Sequence, residues 1–428
     1  MLKKLIPSFI FSWYHWQLAF LGALIYGFPS RKLKVIGVTG TKGKTTTCNL
    51  IAQILQGAGL KTGLATTVNF RIGEREWINE CKQTMLGRFR LQKLLRQMVR
   101  EGCQYAVIET SSEGILQYRH RFIDYSVAVF TNLSPEHIER HGSFEKYRQA
   151  KEKLFEAVAR RKDGVGIYNL DDENVEYFLK CSNQIGFTQG DKCQVNSRYQ
   201  ISDIKLFTDH TGFSINNEKF AMPLIGEFNV QNATAAICVG LSQGITIEKI
   251  KEILKQAKPA PGRLEVVNLG QPFTVIVDYA HEPASLEAVY KSLKIFNPRK
   301  IIAVLGAQGG GRDKTKRAIM GKIAAQYADH IILTNEDPYD ENPFSILEDM
   351  EKGFSQTPNS KLQIPKYEKI IDRREAIRKA LTLAQTGDIV IITGKGGEVW
   401  MCVANGKKIP WDEQEIVRQE LKTLKIVI

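Results

Sequence analysis

The sequence predicts an α/β fold arranged as two parallel-sheet domains in series. Three observations carry that expectation. A β-branched run stops at a glycine loop that opens a helix, in Val35–Cys48, VIGVTGTKGKTTTC. Short apolar runs alternate with longer helical stretches along most of the chain, as parallel strands covered by helices require. The breaker Lys258-Pro259-Ala260-Pro261-Gly262 then interrupts the pattern, after which the alternation resumes.

Taken in order, residues 1–33 form an apolar N-terminal segment. No Asp, Glu, Lys or Arg lies between Lys4 and Arg31, and Leu5–Phe28 is long enough to span a bilayer. Pro7, His15 and Gln17 argue against spanning, whereas Trp13, Tyr14 and Trp16 suit a membrane surface. A helix packed on the protein body is the other reading. Residues 34–258 make the central domain. Its strand Val35–Val38 runs into Gly40, Thr41, Lys42 and Gly43, with Lys44, Thr45 and Thr46 opening a helix. Backbone N–H groups, a helix N-terminus and one lysine then converge as a phosphate-binding loop, with a hydroxyl for Mg²⁺. The long form of that motif would need glycine where Val38 stands, so this is a shorter variant. The reading is a P-loop ATPase domain.

Tyr105–Ile108 and Val127–Phe130 read as buried strands that end in polar residues, and Lys146–Val158 as a helix. Alternating stretches at Gln200–Phe207 and Gly212–Ile215 read as hairpins of the same domain, and Asn229–Leu241 as a small-residue helix. Residues 259–428 make the C-terminal domain, a Rossmann-like α/β unit. Its strands are expected at Thr274–Val277, Ile301–Leu305, Ile331–Thr334 and Ile389–Thr393.

Composition narrows the function classes. The 59 basic and 46 acidic residues leave +13, which suits anionic partners. No basic–aromatic platform accompanies that charge, so nucleic acid is not expected. Seven scattered cysteines without C-x-x-C spacing suggest reduced thiols in the cytoplasm.

From about Val35 onward the motifs resemble those of the Mur ligases, especially the type that adds the third peptide residue. They include TGTKGKTT at 39–46, ETSSEG at 109–114, TNLSPEHIERHG at 131–142 and QAKEKLF at 149–155. NLDD at 169–172, GEFNVQNATAA at 226–236, PGRLE at 261–265 and DYAHEP at 278–283 follow. GRDKTKR at 311–317, DRREAI at 372–377 and GKGGE at 394–398 close the series.

The resemblance implies a ligase that phosphorylates a carboxylate with ATP and lets an amine displace the phosphate, in cell-wall precursor synthesis. ATP and Mg²⁺ are the implied cofactors. Lys44 would hold phosphate and Thr45 would bind Mg²⁺. Glu109, His137 and a carbamylated Lys151 would complete the metal ligands, with helix-capping or surface roles as the plain readings of the same residues. Asn232 would read adenine, and Arg263, Asp278 and His281 would reach ATP from the second domain. Thr84, Ser111, Gln117 and Arg119 match positions that hold a muropeptide-like acceptor. Arg312, Lys314, Asp337, Gly394 and Glu398 match the remaining substrate positions. A monomer is expected, acting on small molecules.

Departures bear on both substrates. The family's N-terminal uridine-binding domain is expected to be replaced by the apolar segment, so the acceptor could be nucleotide- or lipid-linked. The family's Thr-Thr-Pro has become Thr84-Met85-Leu86. Glu113 and Gly397 stand where histidines would be, and Asp-Asn-Pro-Arg reads Glu336-Asp337-Pro338-Tyr339. Without that arginine a distal carboxylate on the amine loses its bidentate partner, so diaminopimelate is not expected. Folylpolyglutamate or cyanophycin ligases and a non-catalytic ATP-binding membrane scaffold are the rival readings.

Overall fold

A computed structural model of the chain describes residues 8–81, 83–136, 138–191, 195–356 and 365–424. The chain divides into two compact units, Met1–Lys258 and Pro259–Ile428.

In the first unit the strands are β1 (Lys34–Thr39), β2 (Thr62–Ala65), β3 (Asn69–Ile72), β4 (Arg75–Ile78), β5 (Tyr105–Glu109) and β6 (Tyr125–Phe130). They continue as β7 (Val165–Asn169), β8 (Asn183–Thr188), β9 (Ser197–Leu206), β10 (Thr211–Ile215) and β11 (Glu218–Met222). Together they form one eleven-stranded sheet in the order β11-β10-β9-β8-β7-β6-β1-β5-β2-β3-β4. The stretch from β9 to β2 is parallel throughout. Antiparallel pairs close both ends, β9–β10–β11 on one side and β2–β3–β4 on the other. The alternating stretches around 200–222 are thus hairpins that extend the main sheet.

The central strands are apolar on both faces because helices cover both. Successive residues of β1 serve opposite cores. Ile36 and Val38 join Leu50, Ile51 and Ile237, whereas Val35 joins Leu94, Leu95 and Leu154. Helix α1 (Ser8–Ile25) precedes β1, α2 (Lys44–Gly57) follows the glycine loop, and α3 (Arg88–Arg100) precedes β5.

Helix α1 packs on α3. Trp16 and Phe20 set their rings on Phe122 at centroid distances of 5.3 and 5.4 Å. Trp13, Tyr14, Leu21, Leu24 and Ile25 remain exposed. Among the described residues no helix is long and apolar enough to cross a membrane. The helix stops at Ile25 and contains His15 and Gln17, the polar residues that argue against spanning, and its contacts with α3 match the reading of a helix packed on the protein body.

The second unit holds β12 (Glu265–Val267), β13 (Thr274–Asp278), β14 (Ile301–Leu305), β15 (His330–Leu333), β16 (Lys366–Lys369) and β17 (Ile389–Thr393). The order is β12-β13-β17-β14-β15-β16. All pairs except β12–β13 are parallel. The sixth strand of this sheet, β17, inserts between β13 and β14, so the strand order reverses there. Loops leaving the C-terminal ends at such a reversal diverge and open a crevice for ligands.

Candidate active site

In the first unit the site is built where β1 runs into α2. Gly43 caps α2 with φ 79°, a left-handed conformation that glycine adopts without strain. A Cβ there would stand 2.2 Å from Asn232 Oδ1. Gly40 is as closely packed, since its Cβ would meet Thr131 Oγ1 at 1.9 Å. The loop is braced by the residues that follow β6. Asn132 accepts Thr41 N–H at its carbonyl (2.8 Å) and Lys42 N–H at Oδ1 (2.9 Å). Thr131 Oγ1 donates to the Lys42 carbonyl at 2.7 Å, and Ser134 N–H donates to Thr41 Oγ1 at 2.9 Å.

Two lysines meet at one carbonyl. Lys44 Nζ donates to Gly40 O (3.1 Å) and Thr41 O (2.8 Å), and Lys151 Nζ donates to the same Gly40 O at 2.6 Å. Lys151 lies on the helix Phe144–Ala159, is 1% exposed, and stands over the ring of Tyr147 one turn before it. Burial holds its ammonium well below the ordinary lysine range, and Lys44 pushes in the same direction. Glu109 closes β5 and is equally buried. Its Oε2 accepts from Thr45 Oγ1 at 3.0 Å and from Thr67 N–H at 2.8 Å. Thr45 and Thr46 are buried in the first turn of α2. Asn232, on the helix Phe228–Ser242, donates to Asn229 Oδ1 (3.0 Å) and accepts from Thr47 Oγ1 (3.3 Å). His137 lies outside the described residues.

In the second unit, groups gather at the C-terminal ends of β13, β15 and β17. Asp278 ends β13 and accepts Leu264 N–H and Ala280 N–H, both at 2.7 Å. Burial raises its carboxyl, while Arg263 and those N–H groups oppose the rise. Arg263 lies over the ring of Tyr279 at 4.4 Å. His281 donates Nδ1–H to the Tyr279 carbonyl at 2.8 Å, and burial lowers its pKa to about 4. The ring is therefore neutral at pH 7, with Nε2 as an acceptor.

Beyond β15 and β17, Lys395 Nζ bonds Asp337 Oδ1 at 2.9 Å and Glu398 Oε2 at 2.6 Å. Glu336 is wholly buried, and among the described residues neither carboxylate oxygen has a hydrogen-bond partner. Gly394, at φ 114°, packs on it. Lys314 is exposed and pairs with Glu341 at 2.7 Å, and Arg312 lies in the same glycine-rich turn.

Residues 38–240 match the Mur ligase middle domain, and residues 262–396 match the Mur ligase glutamate ligase domain. The UDP-N-acetylmuramoyl-L-alanyl-D-glutamate--2,6-diaminopimelate ligase of Geobacillus kaustophilus is 38% identical over 419 residues, which is 95% of this chain and 82% of that protein. The chain belongs to the Mur ligase family. A UDP-N-acetylmuramyl-tripeptide synthetase of Roseiflexus sp. is 35% identical over 425 residues, with 95% and 82% covered. A solved diaminopimelate ligase of this family superposes with a TM-score of 0.63 at 31% identity, over 92% of this chain and 79% of that one. Mycobacterium tuberculosis folylpolyglutamate synthase shares the fold, with a TM-score of 0.69 at 17% identity over 88% and 92% of the two chains.

As a Mur ligase the protein is an ATP- and Mg²⁺-dependent, ADP-forming ligase. The oxygen donors of Thr45 and Glu109 suit Mg²⁺, which takes few protein ligands and keeps water and phosphate oxygens. Among the described residues no three His, Cys, Asp or Glu side chains form a metal cluster.

Thr84, Ser111, Gln117 and Arg119, the residues expected to hold an acceptor, all lie in the first unit. Ser111 caps the helix Ser112–Leu116 by accepting Gly114 N–H at 3.1 Å. Thr84 Oγ1 accepts from Thr67 Oγ1 at 3.0 Å, which links it to Glu109 through Thr67. Gln117 Oε1 accepts from Arg119 Nη2 at 2.7 Å. Sequence reasoning missed Thr67, Tyr147 and Arg88. Tyr147 alone had a signal, since it precedes Lys151 by four residues on one helix face.

Proposed function

We propose that this protein is a cell-wall ligase that joins an amino acid to the carboxylate of a muropeptide-like acceptor. The observation that carries this reading is the convergence of Lys44, Lys151 and the Thr45–Glu109 pair on one glycine loop. An acceptor carboxylate oxygen attacks the γ-phosphorus of ATP and ADP leaves. The amine nitrogen then attacks the acyl carbon, phosphate leaves, and the nitrogen loses a proton as the amide forms. Two anions must meet in the first step. Lys44 and the N–H groups of the loop hold the phosphates, and Thr45 and Glu109 hold Mg²⁺, which screens charge when bound. Lys151, His137 and Asn232 complete the proposed ATP site of the first unit, with Lys151 as a carbamate, and Arg263, Asp278 and His281 are proposed as ATP-binding residues of the second.

Asp337 and Glu398 bond the ammonium of Lys395, Glu336 also feels Arg373 and Lys316, and Tyr339 follows in the chain. Tyr339 stands where an arginine would pair a distal carboxylate, which favours an amine substrate with a neutral or lysine-like tail over diaminopimelate. The exposed aromatic face of α1 and the basic Arg31, Lys32 and Lys34 support work by a monomer at the cytoplasmic face of a membrane. The test is ADP release screened over amino acids with UDP-N-acetylmuramoyl-L-alanyl-D-glutamate as acceptor. Turnover should require Mg²⁺, acceptor and amine together, and Lys44→Ala should abolish it. Equal ATP hydrolysis without acceptor or amine would overturn the ligase reading, and diaminopimelate as best substrate would overturn the amine reading.

A further inference from the structure

Two guanidiniums from separate elements meet at Gln117, and an imidazole from a third element bonds one of them. Arg88 opens α3, Arg119 follows the helix Ser112–Leu116, and His15 lies on α1. Arg88 Nε donates to the Gln117 carbonyl at 2.9 Å, and Arg119 Nη2 donates to Gln117 Oε1 at 2.7 Å. One residue thus fixes both guanidiniums. Arg119 Nη1 also donates to the Met85 carbonyl, and Arg88 Nη2 donates to His15 Nδ1.

Because a guanidinium only donates, His15 Nδ1 is the acceptor and its Nε2 carries the hydrogen. Burial, Arg88 and Arg119 all disfavour a second proton on that ring. Arg119 Nε is buried without a partner among the described residues. Neither arginine forms an ion pair among the described residues. The nearby Glu113 is exposed and accepts from Gln117 Nε2 at 3.3 Å. Two desolvated guanidiniums held side by side repel one another. The buried arginines of this chain offset such a cost with carboxylates, as Arg373 does with Glu413, whereas Arg88 and Arg119 are half-buried.

We propose that Arg88, Arg119 and His15 bind a phosphoryl group carried by the acceptor. This rests on the reading that Gln117 and Arg119 face the acceptor, and adds to it a residue from α1 and one from α3. Two planar forks and one imidazole N–H match the charge and the several oxygens of a phosphate dianion better than a lone carboxylate. Trp13 and Tyr14 are exposed on α1 next to His15. The phosphate can accordingly arrive on a soluble nucleotide or on a lipid.

The experiment uses the full chain saturated with a non-hydrolysable ATP analogue, so that the glycine loop is filled. UDP is titrated by calorimetry in one arm. Phosphatidylcholine vesicles with and without phosphatidic acid are used for flotation in the other. Saturable UDP binding, or flotation that requires phosphatidic acid, is the expected result and names the carrier. Arg88→Gln should weaken it by about tenfold, the scale of one charge-assisted hydrogen bond, with Arg88→Lys recovering part. Affinity for the ATP analogue should not change, which shows that the variants fold. Wild-type protein that binds neither probe, or Arg88→Gln that binds as wild type, would overturn the proposal. Binding of UDP-N-acetylmuramoyl-L-alanyl-D-glutamate that depends on Arg119 but not Arg88 would overturn it while sparing the acceptor reading. Arg88-dependent phosphate binding without any binding of that dipeptide would uphold the anion site and remove the acceptor reading.

Discussion

Glu336 and Lys151 are charged residue types placed where charge is expensive, and each placement has a measurable consequence. Burial, with Asp337 adding to it, raises the Glu336 pKa from 4.5 to about 7. The folded chain therefore keeps a proton that the unfolded chain releases between those values. Stability contributed by the neutral form is complete below 4.5 and is lost as pH rises through 7. A shift of that size corresponds to roughly 3 kcal/mol. Glu336→Gln should match wild type in urea unfolding near pH 4.5 and exceed it by up to that amount at pH 8. Equal stability at both values would show that Glu336 is relieved by another route. Lys151 sits on the same carbonyl as Lys44 with no carboxylate bonded to it. Lys151→Ala should lose most ligase activity, and added acetate or formate should restore a part of it. Mass analysis of the intact protein should show the carbamate, and full activity in the alanine variant would contradict it. The sequence exposed Lys44, Glu109 and Lys151 because they sit in compact motifs. Thr67 and Arg88 stayed hidden, since each meets its partners through a tertiary contact that leaves no local pattern.

Among the elements, the glycine loop was the most legible. A strand, a glycine pair and a Lys-Thr helix start form one local instruction. What the sequence does not show is how tightly Gly43 is held from behind by the helix Phe228–Ser242. Gly43→Ala puts a methyl group at a left-handed position and against Asn232. A cost of about 1–3 kcal/mol is expected from that combination of backbone strain and overlap. ATP affinity should fall with it, and in thermal stability adding Asn232→Ala should recover the overlap part but not the backbone part. Calorimetry on the single and double variants separates the two. Strands inside the parallel sheets were likewise legible, since runs such as Ile301–Leu305 are apolar at every position. Strand ends were less so. Tyr125 and Ser126 belong to β6, and Glu109 to β5, because neighbouring strands supply their hydrogen-bond partners.

At the scale of the whole chain, two α/β units follow one another and α1 adds an apolar face to the first. Arg90, Lys93 and Arg100 of α3 are exposed beside it. Basic residues near anionic lipid contribute on the order of 1 kcal/mol each, and aromatic rings anchor at headgroup level. The full chain should float with anionic vesicles at low salt, and Trp13→Ser with Leu24→Ser should abolish this without altering ATP turnover. Both residues point away from the core, so folding should survive. Retention of both proteins in the soluble fraction would count against membrane work. The sequence announced an unusual N-terminus, but not its packing on α3, because apolar residues read alike whether they meet protein or lipid.

An eleven-stranded sheet has two rims, β4 and β11, each with a row of unpaired backbone groups. Such rims are templates for the strands of another chain. Here β4 carries Arg75 and Glu76, while β11 opens with Glu218 and Lys219, and Glu218 is tied to Lys251 at 2.5 Å. Charge at both rims makes further strand addition costly, so the sheet stops growing at the boundary of one molecule. The same residues that look dispensable for ligation thereby protect the protein against fibrous aggregation.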